Sequence, residues 1–143
     1  MVSAVTSGRT APQLQRNALA LAVASCFVAC APSALANPTG AQVIAGSAAF
    51  SQVGKALNIT NTNGTVIQWQ GFSIGADELT RFIQSGATSA VLNRVVGSAA
   101  SGILGQLLSN GRVFLINPNG VFIGGGAVVD VAAFTASTLQ MSD

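Results

Sequence analysis

Residues 113–124 read VFLINPNGVFIG, in which two unbroken apolar runs flank a polar turn, Asn117-Pro118-Asn119-Gly120. Pro118 presets φ for the second position of a type I turn, Asn117 can bond to nearby backbone, and Gly120 suits the fourth position. Unbroken apolar strands are typical of parallel sheets covered on both faces. The segment predicts two short buried strands joined by a tight turn, although the turn alone fits an unrelated β protein equally well.

Short apolar segments bounded by glycine or asparagine recur on both sides of this turn. Sandwiches, barrels and β-solenoids all contain such strands. Glycine corners and small side chains favour the solenoid, in which each corner stacks on the one below, although no clean sequence period is visible. The pattern predicts a loosely held N-terminal cap over 37–46 and strands over 47–53, 57–60, 65–70, 72–74, 79–84, 90–97, 113–116, 121–123 and 128–134.

One segment has helical rather than strand-like spacing. Apolar residues recur there at Ala100, Ile103, Leu104, Leu107 and Leu108, which predicts a short helix that ends at residues 110–111. Two internal glycines would make this helix weak.

The first 36 residues have the three parts of a secretory signal peptide. Arg9 and Arg16 form a positive flank, residues 18–31 are apolar apart from one serine, and Ala34 and Ala36 form a small-x-small cleavage pattern. The sequence therefore predicts a helical signal peptide over 1–36 and a mature domain over 37–143. A permanent N-terminal anchor and a lipoprotein modified at Cys30 are the alternatives.

The predicted mature segment is electrically balanced and has no thiol groups. It contains four basic and four acidic residues, so its net charge is 4 − 4 = 0, and both cysteines lie in the first 36 residues. Without a basic patch, nucleic-acid binding is disfavoured. A chain without disulfides can stay extended while it crosses a narrow pore.

Catalytic and metal-binding groups are scarce in this composition. The chain has no histidine and no tyrosine, and the adjacent Asp77 and Glu78 would point to opposite faces of a strand. Acid–base catalysis needs groups within reach of each other, and zinc sites need nitrogen or sulfur ligands. We therefore predict no catalytic residues, no metal and no cofactor.

The motif around Asn117, together with other blocks in the same order, resembles the N-terminal secretion domain of the filamentous haemagglutinin family. These proteins are the exported partners of bacterial two-partner secretion, and the domain is also called the haemagglutination activity domain. The resemblance extends from about residue 37 to the last residue. Its other blocks are residues 67–75, 90–95, 103–105 and 136–139.

The resemblance implies an all-β fold, a right-handed parallel β-helix with an N-terminal cap and a few extra-helical hairpins. It also implies a partner, an outer-membrane β-barrel transporter whose periplasmic receptor domains recognise the chain before it crosses unfolded and folds outside. Full-length members are adhesins, haemagglutinins or toxins, so a host glycan or surface receptor is a further expected partner. Family domains are generally longer, which predicts a fragment, a truncated product or a minimal relative, incomplete at its C-terminus.

For recognition by the transporter we expect β-augmentation, in which an extended segment pairs with a strand edge of the receptor. The expected contacts are the turn Asn117, Pro118, Asn119 and Gly120, together with Trp69, Phe72, Arg94 and Arg112. Burial of apolar side chains outside the cell, including Phe114, Phe122 and Phe134, would then bias the movement outward. Two other functions remain open: a glycan- or haem-binding surface module, and a β-helix polysaccharide lyase or hydrolase.

Overall fold

The computed structural model describes residues 37–140, so the predicted signal peptide and its cleavage residues Ala34 and Ala36 lie outside the described residues. Within this part every regular element is a strand, and none of it forms an apolar helix long enough to span a bilayer. The strands are β1 Gln42–Ala45, β2 Ala48–Val53, β3 Ala56–Asn61, β4 Thr65–Trp69, β5 Leu79–Ile83, β6 Ala90–Val95, β7 Ser101–Ile103, β8 Gln106–Ser109, β9 Arg112–Ile116, β10 Val121–Ile123, β11 Val128–Asp130 and β12 Ala133–Ser137.

These strands wind into a solenoid of about four turns. One side is a sheet of order β1-β4-β6-β9-β12, named here the β4 sheet, and a second side is the β3 sheet, of order β2-β3-β5-β8-β11. The third side consists of the parallel pair β7 and β10, and a bridge from Ile74 to Ile103 extends it by one turn. Strands from successive turns pair in parallel in both large sheets. The predicted right-handed parallel β-helix is confirmed.

The N-terminal cap is more ordered than the sequence predicts. β1 and β2 pair antiparallel with β4 and β3, so they cover the first turn of the solenoid. Asn37 is buried, donates through Nδ2 to the Lys55 carbonyl at 2.9 Å and accepts from the Thr80 hydroxyl at 3.2 Å. The expectation of a loosely held segment over 37–46 is wrong, because these hydrogen bonds fix it to the first two turns.

The core consists of alternate side chains that point inward from both large sheets. Its largest members are Trp69, Phe72 and Phe82. The Trp69 and Phe72 rings meet edge to face with centroids 5.7 Å apart, and Phe72 stacks on Phe82 at 6.5 Å. Fully burying such a side chain contributes roughly 2–3 kcal/mol, so these three aromatics are a major part of the folding energy.

Of Phe114, Phe122 and Phe134, which were expected to be buried, two lie outside the core. Phe122 is 55% exposed, because its ring lies over Gly102 of the preceding turn rather than inside the solenoid. Phe114 is half-buried between two inward-facing residues of β9 and therefore points to the outer face of the β4 sheet. Phe134 is partly buried against the core, as expected.

The helix predicted over 100–108 is wrong. β7 and β8 occupy this segment, with a corner at Leu104 and Gly105. A three-residue strand, a corner and a second strand place Ile103 and Leu107 in the core at the same spacing as a helix would. A Cβ on Gly105 would lie 2.1 Å from the Gly75 carbonyl oxygen. This corner therefore needs a glycine, because the backbone of the preceding turn lies directly against it.

Two strand predictions also need correction. Residues 128–134 are not one strand, because the chain turns at residues 131–132 between β11 and β12. Residues 72–74 form a single bridge to the next turn rather than a strand.

Candidate functional site

The Asn117–Gly120 turn joins β9 to β10 at a corner of the solenoid. The Gly120 amide donates to the Asn117 carbonyl at 3.0 Å, which closes the turn across four residues. The Asn117 side-chain oxygen accepts the Asn119 amide at 2.9 Å, as expected for an asparagine that begins a turn. Gly120 has a φ of 114°, a backbone conformation that residues other than glycine rarely adopt. The tight turn predicted from the sequence is therefore present.

Asn117 also connects this β-turn, through hydrogen bonds, to the preceding turn of the solenoid. Its side chain is fully buried, and its Nδ2 donates to the Ala99 carbonyl at 3.0 Å and to the Ser101 hydroxyl at 2.9 Å. The backbone adds one bond in each direction: the Ser101 amide donates to the Gly120 carbonyl, and the Asn117 amide donates to Ser137 of the following turn. One asparagine thus links three successive turns.

Asn119 makes a further hydrogen bond to the preceding turn of the solenoid, at a more exposed position. Its Nδ2 donates to the Gly97 carbonyl at 2.7 Å. Gly97 itself lies against the turn below, where a Cβ would be only 1.9 Å from the Gln70 carbonyl oxygen. Residues 70, 97 and 119 therefore form a vertical column at one corner of the solenoid, and any side chain at position 97 would force that column apart.

Trp69 and Phe72, two of the predicted partner contacts, are 1% exposed. The Trp69 indole nitrogen donates to the side-chain oxygen of Asn93 at 2.9 Å, and the Asn93 Nδ2 donates to the Phe114 carbonyl at 3.2 Å. Asn93 lies in the core and bridges β4, β6 and β9. A folded domain therefore offers neither aromatic to a partner.

Arg94 and Arg112 lie on the outer face of the β4 sheet. Arg94 donates to the Gln68 side chain at 3.2 Å and, with Pro118 and Asn119, lines a hollow of about 440 Å³. Arg112 donates to the Thr88 carbonyl and is farther along the face. The structure thus brings Arg94 to the Asn117 turn and leaves Arg112 apart from it.

Sequence reasoning missed Asn93, Gly97 and Ser101. For Asn93 a signal was available, because it occupies the middle of three inward positions in β6, between Val91 and Val95. A polar residue there predicts a buried carboxamide with core partners. No local signal identifies Gly97 or Ser101, because their partners are 16–27 residues away in the sequence.

An exposed ion pair lies at another corner of the solenoid. Lys55 and Asp77 form an exposed salt bridge. The hydrogen bond from Lys55 lowers the pKa of Asp77 below its usual value of 3.8, and the same bond raises the pKa of Lys55 above 10.5. Across residues 37–140 no three histidine, cysteine or acidic side chains cluster as a metal site would require. The predicted site is a structural corner with an adjoining surface hollow.

Comparison with known proteins connects this architecture with a family. The family model for the TPS secretion domain matches residues 34–143. The chain belongs to this family. A TPS secretion domain is the part of a two-partner secretion exoprotein that takes it through the periplasm to the cell surface or the medium. The resemblance identified from the motif blocks is confirmed.

Relatives of this TPS secretion domain come from Haemophilus influenzae. A heme/hemopexin-binding protein is 42% identical over 105 residues, which are 73% of this chain and 12% of that protein. A second protein of the same name is 44% identical over 75 residues, 52% of this chain and 8% of that protein. The crystal structure of the HMW1 secretion domain superposes with a TM-score of 0.73 at 41% identity and covers 75% of this chain and 29% of that one. The chain therefore spans about an eighth of its first relative.

Proposed function

We propose that residues 37–143 guide export through an outer-membrane β-barrel transporter that recognises them while they are still extended. The observation that carries the proposal is the burial of Trp69 and Phe72, which are 1% exposed after folding. A receptor that contacts these side chains must therefore bind the chain before the solenoid forms. An extended segment can pair with a receptor strand through its backbone, and alternate side chains then supply specificity.

Folding outside the cell would give the movement its direction. Each turn of the solenoid contacts mainly its neighbours, so folding can spread one turn at a time. Every added turn buries apolar side chains and closes the parallel strand pairs, and this free energy opposes return of the chain through the pore. In this scheme Asn117 and Asn119 hold the third turn on the second and make that step harder to reverse.

Binding of purified receptor domains to folded and urea-unfolded chain tests the proposal. We expect the extended chain to bind, and the folded chain to bind at least tenfold more weakly. Trp69→Ala should weaken binding of the extended chain, whereas Phe122→Ala, which removes an exposed aromatic, serves as the matched control. Equal binding of both forms, or export to the medium without any transporter, would refute it.

For the whole protein we propose a surface adhesin whose binding activity lies outside this domain. The relatives are named for binding heme and hemopexin, but this segment provides few groups for that chemistry. Haem iron is usually held by histidine, cysteine, tyrosine or methionine, and Met141 is the single such residue in 37–143. A haem titration of the chain with Cys26 and Cys30 replaced by serine, followed by the Soret absorbance, should therefore show no specific site.

A further inference from the structure

Three asparagines in the sequence are followed directly by glycine, at residues 63–64, 110–111 and 119–120. All three pairs lie between strands, at corners of the solenoid, and all three asparagines are exposed. In an extended chain such a pair is open to intramolecular attack, because glycine has no side chain to shield its backbone nitrogen. Asparagine is also among the thermolabile residues of proteins. These corners are therefore candidate sites of chemical modification.

The reaction open to these pairs is deamidation through a cyclic imide. The glycine backbone nitrogen attacks the carbonyl carbon of the asparagine side chain, and a new C–N bond forms. The bond from that carbon to Nδ2 breaks, and Nδ2 leaves as ammonia with the proton that the glycine amide has lost. Water then opens the ring at either of its two carbonyl groups, which yields aspartate or isoaspartate, whose main chain is one carbon longer. Water is the only co-reactant, and nothing is oxidised or reduced.

The folded chain engages the glycine amides of all three pairs. Each donates a hydrogen bond of 2.9–3.0 Å: Gly64 to the Ala90 carbonyl, Gly111 to the Ser109 hydroxyl and Gly120 to the Asn117 carbonyl. The asparagine side chains are held as well, since each bonds to the backbone of a neighbouring turn of the solenoid. Ring closure needs both sets of bonds to break, so the fold slows the reaction at all three corners.

Modification has the largest structural effect at Asn110. Its Oδ1 accepts the Gln84 amide and its Nδ2 donates to the Gln84 carbonyl, each at 2.7 Å. An aspartate has no donor there and would set a carboxylate oxygen against that carbonyl. An isoaspartate would also displace Gly111, which is buried, and a Cβ on Gly111 would lie only 2.9 Å from the Ser89 carbonyl oxygen. Either product therefore weakens the stacking of this corner on the turn below.

The other two asparagines give contrasting expectations. Nδ2 of Asn119 donates to the Gly97 carbonyl at 2.7 Å and to the Asn117 side-chain oxygen at 3.1 Å, and an aspartate would lose this donor. At Asn63 the fold uses the oxygen, which accepts the Ala90 amide at 3.0 Å and which an aspartate retains. Asn63 therefore provides an internal control, with the same dipeptide but no lost hydrogen bond.

We infer that spontaneous deamidation at Asn110 and Asn119 prevents an extended chain from forming a fully stacked solenoid, and that folding blocks the reaction at both sites. Asn117 is exempt, because Pro118 has no amide proton to lose. The reaction needs only an unfolded chain and does not depend on how the chain leaves the cell. It also limits how long an extended chain can wait before it folds outside, a consequence that rests on the proposed function.

Parallel incubation of the folded and the guanidinium-unfolded 143-residue chain at mildly alkaline pH tests the inference without any transporter. Peptide mass spectrometry quantifies each site. We expect aspartate and isoaspartate at Asn63, Asn110 and Asn119 of the unfolded chain, and modification at least tenfold slower in the folded chain. Asn93, which precedes an arginine, and Asn117 should stay intact in both forms.

Refolding of the incubated chain measures the structural consequence. After removal of guanidinium, chains modified at Asn110 or Asn119 should be enriched at least threefold in the fraction that stays unfolded, whereas chains with aspartate at position 63 should divide evenly. Asn110→Asp and Asn119→Asp should lower the urea midpoint, and Asn63→Asp should leave it unchanged. If Asn110→Asp does not fold, Asn119→Asp and the distribution of modified chains still decide the question.

Three results would overturn the inference. Equal rates in the folded and unfolded chain would show that the corners do not block ring closure. An even distribution of all modified chains between the two fractions would show that the corners do not need the side-chain amides. A midpoint for Asn119→Asp equal to that of Asn63→Asp would show the same for the lost donor.

Discussion

Asn117→Ala should destabilise the third turn of the solenoid by about 2–3 kcal/mol. The substitution removes the bonds to the Ala99 carbonyl, the Ser101 hydroxyl and the Asn119 amide, all between 2.9 and 3.0 Å. It also removes a bond from the exposed Asn119 side chain at 3.1 Å, for which water can substitute. A hydrogen bond contributes about 1 kcal/mol net, and a polar group left without a partner in a buried site costs more. Ala99 is exposed, so water can satisfy its carbonyl, which keeps the total near the sum of three bonds.

Urea unfolding followed by Trp69 fluorescence measures this loss. With an m value of about 1.5 kcal/mol/M, the midpoint should fall by about 1–2 M. Asn119→Ala is the matched control, because Asn119 is exposed and water can replace its side-chain bonds to the Gly97 carbonyl and the Asn117 side chain. Its midpoint should fall by less than half as much. Amide exchange at Ser101 should accelerate selectively in Asn117→Ala, since its acceptor is the carbonyl of Gly120 in the same turn.

The same variant separates folding from recognition. If Asn117 stabilises the stacking of the third turn on the second, Asn117→Ala lowers the amount exported while the extended chain still binds the receptor domains normally. Unchanged stability combined with lost receptor binding would refute the structural role and make Asn117 a direct contact. A midpoint shift equal to that of Asn119→Ala would show that burial of Asn117 adds nothing.

Three further predictions concern other parts of the solenoid. Gly97→Ala should prevent stable folding, since its Cβ would lie 1.9 Å from a backbone oxygen, whereas Gly125→Ala has open space and should fold normally, as circular dichroism would show. Asn93→Leu should cost about 1–3 kcal/mol in urea unfolding, because it leaves the buried indole N–H of Trp69 without its acceptor; a stability gain would contradict this. Lys55→Met should lower the melting temperature only at intermediate pH. The lowered pKa of Asp77 makes the contribution of the pair disappear as pH falls below about 3.8, and the raised pKa of Lys55 makes it disappear above about 10.5, so a difference that persists at pH 2 would refute the pairing.

The sequence predicts the class of fold better than its details. The apolar runs on either side of Asn117 and the glycine corners favoured a solenoid over a sandwich or a barrel, because these are local requirements of stacked strands. The resemblance of the motif blocks then implied the right-handed parallel β-helix. Residues 100–108 were not predictable in the same way. A strand, a corner and another strand can reproduce helical spacing, and only the stacking of Gly105 on the turn below distinguishes them.

At the candidate site, too, the sequence predicts local features but not those that depend on distant residues. The closure of the Asn117 turn follows from its own four residues. The burial of Asn117 depends on Ala99 and Ser101, which are 16–18 positions away, so no local pattern indicates it. Arg94 and Arg112 were proposed singly, and their diagonal placement around Leu92 and Phe114 emerges only from the register of β6 and β9.

The antiparallel cap gives the solenoid two unlike ends. At one end β1 is short and its register with β4 is irregular, and β2 is mostly exposed with polar residues at its centre. Such strands are poor templates for another chain. At the other end of the described part, β12 continues the regular parallel ladder of β9. Evolution could therefore lengthen such a protein by inserting whole turns after β12, while the cap keeps the opposite end inert toward neighbouring molecules once the chain has folded outside the cell.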